Sequence, residues 1–355
     1  KDNGGPEALA GTRRRGAYWL GLAEALETPT RRATPAPRPS PRPPAAARPM
    51  ELPVTDIGRL IRDPYAVYAR RILRLRPLDP LRPEPDAALR GSVLHEILAR
   101  FSTVDPRAPE ARARLLEIAD VVLAEEVPWP VARRLWRARL ERAADWFLAR
   151  EARREGTPRL VEKPGGITLE PSGFRLTARP DRIDELPDGR IHIYDYKTGS
   201  PPTEKQQRAF DKQLLLEAAM AERGAFEDFG LADIAGATYI GLGATPKEEP
   251  LDLSSGVTAA AWEQLGQLVA RYAAEETGYT SRRAMFSEGS AGAYDHLARF
   301  GEWEMTATPE HEDVGQDTAE AGAGRDEPQA MLERDSGKEP LDTAPGPPRN
   351  GKENS

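Results

Sequence analysis

Three side chains in one short stretch have the types and spacing for hydrolytic chemistry. Residues 174–197 read FRLTARPDRIDELPDGRIHIYDYK, in which Asp181 and Asp195 are carboxylates and Lys197 is a cation. Leu186-Pro187-Asp188-Gly189-Arg190 has hairpin turn chemistry, and the loop length fixes the register of the strands on either side. A two-residue Asp188-Gly189 loop sets Asp181 opposite Tyr196, on the face away from Asp195. A three-residue Pro187-Asp188-Gly189 loop pairs Leu186 with Arg190 and sets Asp181 directly opposite Asp195. Pro at the first corner and Gly at the left-handed bulge position favour the second arrangement. Period two then puts Lys197 on the face of both carboxylates. Opposed carboxylates at roughly 5 Å repel one another, and a divalent cation converts that repulsion into coordination. Oxygen donors suit Mg²⁺ or Mn²⁺. By themselves the same residues read more readily as ordinary charges, with Asp181 paired to Arg179 or Arg182 and Lys197 a strand-end cation.

The elements that must position them follow from periodicity. Thr55 begins a helical pattern through Ile57, Leu60 and Ile61, and Asp63-Pro64 ends one helix and opens another. Helices are expected over about 87–101, 109–127 and 130–153. Ile167/Leu169, Phe174/Leu176 and Ile191/Ile193 alternate as strands. Thr203 and Gln206 make a capping box for a helix that Gly224 stops. Ala237–Leu242 is a short buried strand, and a helix follows over 257–275. This order predicts an α/β body with a mixed sheet.

Charge arithmetic marks one boundary. The chain has 355 residues and a net charge of −7, with 50 Lys+Arg against 57 Asp+Glu. Residues 306–355 hold 12 acids and 5 bases, so they account for the whole imbalance and the rest is neutral. That acidic tail is nearly free of large apolar residues and is expected to be disordered. Residues 1–49 read as a helix remnant followed by a Pro/Ala/Arg-rich linker, PAPRPSPRPPAAARP over 35–49. Tyr18, Trp19, Leu20, Leu22 and Leu26 have helical spacing but no partner within the chain, and the first residue is Lys1. Both features suggest the C-terminal part of a longer polypeptide. The body is then 50–305. With no Cys, thiolate zinc sites, iron–sulfur clusters and Cys nucleophiles are excluded within this chain. No GxxxxGK[ST] is present, so no ATP site of that kind is expected. No apolar run approaches the ~18 residues of a membrane span, and a cytoplasmic protein is expected.

Four motifs together carry a family resemblance: Gly91-Ser-Val-Leu-His95, Pro180-Asp181, Asp195-Tyr-Lys197 and Gln213 in the next helix. In this order they resemble the RecB-like branch of the PD-(D/E)XK nuclease superfamily. Residues 54–79 and 293–303 further resemble the C-terminal nuclease domain of AddB subunits, in the alphaproteobacterial form. The resemblance implies a restriction-endonuclease-like mixed β-sheet core flanked by helices, with an N-terminal helical insertion region. It implies Asp181, Asp195, His95 and the backbone carbonyl of Tyr196 as ligands of Mg²⁺ or Mn²⁺. Lys197 would orient or deprotonate the attacking water, and Gln213 would line the site. Single-stranded DNA and an AddA-like helicase–nuclease subunit are the implied partners, in double-strand break repair. Two departures stand out. Iron–sulfur members have a Cys where Asp63 stands and three more near the C-terminal end, so packing by Tyr65 and Tyr68 against Tyr294 or Trp303 must replace the cluster. Many members also have Tyr where this chain has Glu217.

Other residues read more blandly. His95 alone would be a core histidine on an apolar helix; His192 and His296 read as surface and structural, and His311 lies in the tail. Glu162, on a strand edge before the hairpin, could support the site from behind its ligands but reads first as solvent-facing. Two Arg-rich stretches could follow a DNA backbone, one containing Arg70, Arg71 and Arg74 and the other Arg133 and Arg137. A catalytically silent nuclease fold serving as a DNA-binding scaffold is the alternative function, and intact Asp181, Asp195 and Lys197 argue against it. A stand-alone nuclease unconnected with a helicase is a third.

Overall fold

The alternating stretches do become strands, and those around the hairpin share one sheet. A computed structural model describes residues 6–27, 34–76, 78, 81–209, 211–285 and 291–315. In chain order it contains α1 (Pro6–Glu27), β1 (Pro39–Arg42), β2 (Glu51–Pro53), α2 (Val54–Arg62), α3 (Pro64–Val67), α4 (Ala87–Phe101), α5 (Ala111–Glu126) and α6 (Pro130–Glu151). Then follow β3 (Thr157–Val161), β4 (Gly165–Leu169), β5 (Phe174–Ala178), β6 (Arg182–Glu185), β7 (Ile191–Lys197), α7 (Glu204–Ala209), α8 (Gln213–Ala221), β8 (Ile234–Gly241), β9 (Lys247–Pro250), α9 (Val257–Ala273) and β10 (Glu310–Asp313). Five strands form a mixed sheet in the order β3-β6-β7-β8-β9, in which β7 and β8 alone run parallel. This is the α/β, restriction-endonuclease-like fold. A smaller sheet, β2-β5-β4, lies beside it.

The hairpin takes the three-residue loop. Leu186 N–H donates to Arg190 O at 2.8 Å, Gly189 N–H closes the turn onto Leu186 O, and Gly189 has φ of 83°. A positive φ there is what Gly tolerates and a β-branched residue does not.

β7 is buried on both faces, as central strands beside a parallel neighbour are. Ile191 and Ile193 join one core with Leu214 and Leu216 of α8 and Leu265 of α9. Tyr194 and Tyr196 point the other way, into a second core made by α4, α5 and α6 with Ile240 and Leu242. The helices 87–151 therefore cover one face of the sheet. α4 starts where expected because Asp86 caps it, its carboxylate accepting from Leu89 N–H at 2.7 Å. The Thr203/Gln206 box also forms, with Thr203 N–H donating to Gln206 Oε1 at 2.8 Å. The helix it opens is not continuous to Gly224, however. It breaks into α7 and α8, and Tyr239 O–H donates to Asp211 at the break.

The boundary expected at residue 49 is not where the fold begins. Residues 38–48, read as part of a linker, pack into the body. β1 pairs with β10 in parallel, which also brings 310–313 into the structure. The cause is two arginines. Buried Arg38 donates to the carbonyls of Ser281, Arg282, Met305 and Ala307. Buried Arg48 donates to those of Pro43, Tyr272, Thr277 and Glu275. Composition shows Pro and Arg; it does not show eight waiting carbonyls. Residues 316–355, the rest of the expected tail, lie outside the described residues. α1 stands as expected with Tyr18, Trp19 and Leu26 exposed.

The two ends of the body are joined without cysteine. Tyr65, Tyr68, Tyr279 and Tyr272 form a chain of ring contacts at 5.1–6.3 Å, so the aromatic partner of Tyr68 is Tyr279, not Tyr294 or Trp303. Arg282, 0% exposed, is clamped between Asp295 and the ring of Phe300 at 3.8 Å, and its backbone N–H donates to Asp63. Asp63 thus tethers the two ends at the position where a Cys ligand would stand.

Two outcomes follow from this packing. Arg282→Met should destabilise by about 3 kcal/mol or more in urea unfolding, through poorer packing and a stranded Asp295 carboxylate. His192 is half-buried, bonded to Thr238 Oγ1 at 2.9 Å and stacked on Tyr194. Burial, helped by Arg154 and Arg182, pushes it from 6.5 to about 4. The unfolded chain therefore binds this proton first, and the stability contribution is complete above pH 6.5 and falls as pH drops toward 4. About 2 kcal/mol should disappear between pH ~7.5 and pH ~5, and His192→Phe should remove that part of the pH dependence.

Candidate active site

The site is made where a strand pairing stops. β6 and β7 pair from Glu185↔Ile191 to Arg182↔Tyr194. The next hydrogen-bonded pair in that register would join Tyr196 to Pro180, which has no N–H to donate. The ladder ends, and Tyr196 at the C-terminal end of β7 keeps an N–H and a C=O that β6 does not use. Side chains take both. Tyr196 N–H donates to Asp181 Oδ2 at 2.6 Å, and His95 Nε2, arriving from α4, donates to Tyr196 O at 2.9 Å. His95 Nδ1 lies 3.1 Å from the other oxygen of Asp181 and 3.4 Å from Glu162.

Asp195 is buried at 1% exposed, opposite Asp181 in register. Lys197 Nζ approaches its Oδ2 at 2.6 Å, and Gln213 Nε2 donates to its Oδ1 at 2.9 Å. Gln213 also donates to Glu217 Oε1 at 3.2 Å, and Glu217 is fully buried with its other oxygen unpartnered. Burial, with Asp195 and Asp181 nearby, pushes Glu217 well above the usual carboxylate range. That direction favours the protonated, uncharged form of Glu217. Burial also lifts Asp195, to about 7, against the opposing pull of Lys197. Burial disfavours charge on His95, but its hydrogen bonds to Asp181 and Glu162 outweigh that and raise it to about 10. On Lys197 burial lowers the pKa and Asp195 raises it, with a net rise. The balance is simple: several acids converge, and His95 and Lys197 hold protons to offset them.

That donor set fits a hard divalent cation. His95, Glu162 and Asp181 place ligand atoms within 4.8 Å of one another, and the Tyr196 carbonyl points at the same imidazole. The protonated His95 here supplies the positive charge these oxygens require. Asp195, also in the expected ligand set, stands beside this cluster with Oδ2 2.6 Å from Lys197 Nζ and Oδ1 bonded to Gln213. Glu162 stands in the cluster instead of facing solvent. Val161 pairs with Arg182, so Glu162 falls opposite Asp181, and its N–H donates to Asp181 O at 3.2 Å. A bulge between Pro158 and Leu160 sets that register, and no local motif announces it. Gly91, one turn before His95, leaves bare helix: a Cβ there would meet no atom within 4 Å.

The arginines expected to follow DNA either have partners within the protein or line none of the cavities beside Lys197. Arg71 is paired with Asp56, Arg137 with Asp120 and Glu141, and Arg133 donates to Val127 O. Arg70 and Arg74 are exposed but line none of the cavities beside Lys197. Helix pairing of α5 with α6 brings acids onto the basic faces, which a one-dimensional reading of charge cannot show.

Residues 52–291 match the family model of the PD-(D/E)XK nuclease superfamily. The chain is similar to uncharacterised proteins of Rickettsia felis, 28% identical over 212 residues, and Rickettsia bellii, 29% identical over 185. Those alignments cover 56% and 50% of this chain but 25% and 22% of the relatives, so the chain spans about a quarter of their length. A solved structure from Eubacterium rectale, described as a candidate exonuclease, is 12% identical with a TM-score of 0.39, covering 72% of this chain and 94% of its own. At that score not even a shared fold follows.

If the cluster takes a cation, Mn²⁺ titrated into the protein and followed by electron paramagnetic resonance should bind. His95→Ala or Asp181→Asn should abolish binding, and Glu162→Gln should weaken it by about 10–100-fold.

Proposed function

The chain belongs to the PD-(D/E)XK nuclease superfamily, and from that premise we propose that it is a Mg²⁺- or Mn²⁺-dependent deoxyribonuclease acting on single-stranded DNA. The observation that carries the reading is the convergence of His95, Asp181, Asp195 and Lys197 on the end of β7. Nucleases of this superfamily use divalent metals. His95, Asp181, the Tyr196 carbonyl and Asp195 would hold the ion, with Glu162 beside them. When bound, a divalent ion polarises the scissile phosphate and acidifies a water.

The chain's own residues do the rest. Asp195 would offer an oxygen to the ion, and Gln213, which donates to its Oδ1 at 2.9 Å, holds that carboxylate in place. Lys197 orients the attacking water and offsets the charge that builds on the phosphorane-like transition state, a role that needs a cation fixed in advance. Glu217 holds the Gln213 amide through its Oε1, and burial there favours the uncharged acid.

The larger setting is a proposal of the same kind. Residues 54–79 and 293–303 resemble AddB, so the chain is read as the nuclease part of an AddB-like subunit in the cytoplasm. There it would cut single-stranded DNA delivered by an AddA-like helicase partner during double-strand break repair.

End-labelled single-stranded DNA with Mg²⁺ or Mn²⁺ should be cleaved, EDTA should abolish cleavage, and Lys197→Ala should lower it by about 10²–10³-fold. No cleavage by the wild type, with Mn²⁺ binding that needs Asp195, would point to a site that works only with its partner. No cleavage and no binding would leave the scaffold reading.

A further inference from the structure

A furrow runs past Lys197 along the helices that cover the sheet. A cavity of about 550 Å³ opens between α4, α6 and the loops that follow β7 and β8, starting at Thr198, the neighbour of Lys197. A second, of about 460 Å³, adjoins it and shares Arg90, Trp136 and Arg139. A third, of about 470 Å³, shares Ser200 with the first and contains Lys197 and Gln213. Together the shared walls trace one path from Trp129 at the start of α6 to the candidate active site.

The chemistry of that path is specific. No Asp or Glu lines the first cavity, and the one acid of the second, Asp86, is occupied capping α4. Three arginines do line it: Arg90, Arg139 and Arg142. None of them makes an ion pair or side-chain hydrogen bond with a described residue, and the buried Nε of Arg90 has no partner. Neighbouring arginines are committed, Arg137 of α6 to Asp120 and Glu141, and Arg112 of α5 to Asp145. Trp136, Arg139 and Arg142 recur every three residues, so they form one strip down α6. Trp129 lies seven residues before Trp136, about 10 Å along the helix axis. The opposite wall is small: Gly199, Ser200, Gly243 and Ala244 leave the backbone open to close approach.

We propose that this furrow is a binding track for a single strand of DNA, with Trp129 and Trp136 stacking on bases and Arg90, Arg139 and Arg142 neutralising phosphates. Cations alone would fit any polyanion. The tryptophans on an apolar floor decide for an unpaired strand, because a duplex hides its base faces and would leave that floor wet. The helices of 87–151 are then the device that holds the substrate, and the two arginines expected from sequence on the same helix, Arg133 and Arg137, only brace it. This inference rests on the hydrolase reading of Lys197, since it is Lys197 that gives the track a destination.

The test is fluorescence anisotropy of a labelled short oligothymidylate with the full chain, in EDTA so that nothing is cleaved. The wild type should bind it more tightly than a blunt hairpin duplex. Arg139→Glu/Arg142→Glu, both exposed and fold-neutral, should weaken binding at least tenfold. The same variant should reduce the slope of log affinity against log salt by about 0.7 for each phosphate it no longer neutralises. Trp136→Ala should weaken binding by about 5–150-fold, with circular dichroism confirming the fold. Arg114→Glu, on α5 and paired with Glu117, should change nothing. Equal affinity of the double-arginine variant and the wild type, or equal affinity for single strand and duplex, would overturn the track. Intact DNA binding with neither cleavage nor Mn²⁺ binding would instead strike the hydrolase reading and leave the track standing.

Discussion

A missing N–H organises this molecule. Pro180 stands where the β6–β7 ladder would otherwise continue and has no N–H for the Tyr196 carbonyl, while the Tyr196 N–H turns to the Asp181 carboxylate in place of a backbone acceptor. Buried backbone groups are costly to leave unsatisfied. Asp181 takes the N–H and His95 takes the carbonyl. Because those two bonds fix the side chains as well as the peptide, the end of the strand and the arrangement of the acids are one structural fact. Any residue at 180 able to donate would compete with His95 for the Tyr196 carbonyl.

The second constraint is charge in a confined space. Asp181, Asp195, Glu162 and Glu217 converge, and two of them are essentially removed from water. The structure tolerates this by distributing protons and donors. His95 and Lys197 are held as cations, Glu217 is pushed toward its uncharged form, and Gln213 bridges Asp195 and Glu217 through a single amide. Such a cluster is a poor way to stabilise a fold, since buried charges seldom repay their desolvation. Its presence is better explained by what it can bind. The two apolar cores on either side of the sheet supply the stability that the cluster does not.

The same division of labour appears at the ends of the body. With no cysteine available, Arg38, Arg48 and Arg282 thread between segments far apart in sequence and satisfy carbonyls and carboxylates there. Guanidinium groups suit this task because five donors in a rigid fork can serve several acceptors at once. A row of tyrosines packs behind them. Arginine therefore has three distinct uses in this chain: tying the ends, bracing helix against helix, and lining the furrow beside Lys197.

Much of this was legible in the linear sequence, and the readable part is the local part. Pro187 and Gly189 determine the turn, the turn determines the register, and the register sets Asp181 against Asp195. The Thr203/Gln206 pair determines where a helix begins by bonds that span a few residues. The order of helices and strands follows from periods of 3.6 and two. What only the tertiary structure decided depends on partners distant in sequence. The bulge in β3 places Glu162 in the acid cluster, though it looks like a surface residue. The pairing of α5 with α6 neutralises Arg137 while leaving Arg139 and Arg142 available. Carbonyls more than two hundred residues away turn a Pro- and Arg-rich linker into part of the core. The physical reason is the same in each case. Turn and cap energies are set by neighbours along the chain, whereas burial, ion pairing and register shifts are set by neighbours in space.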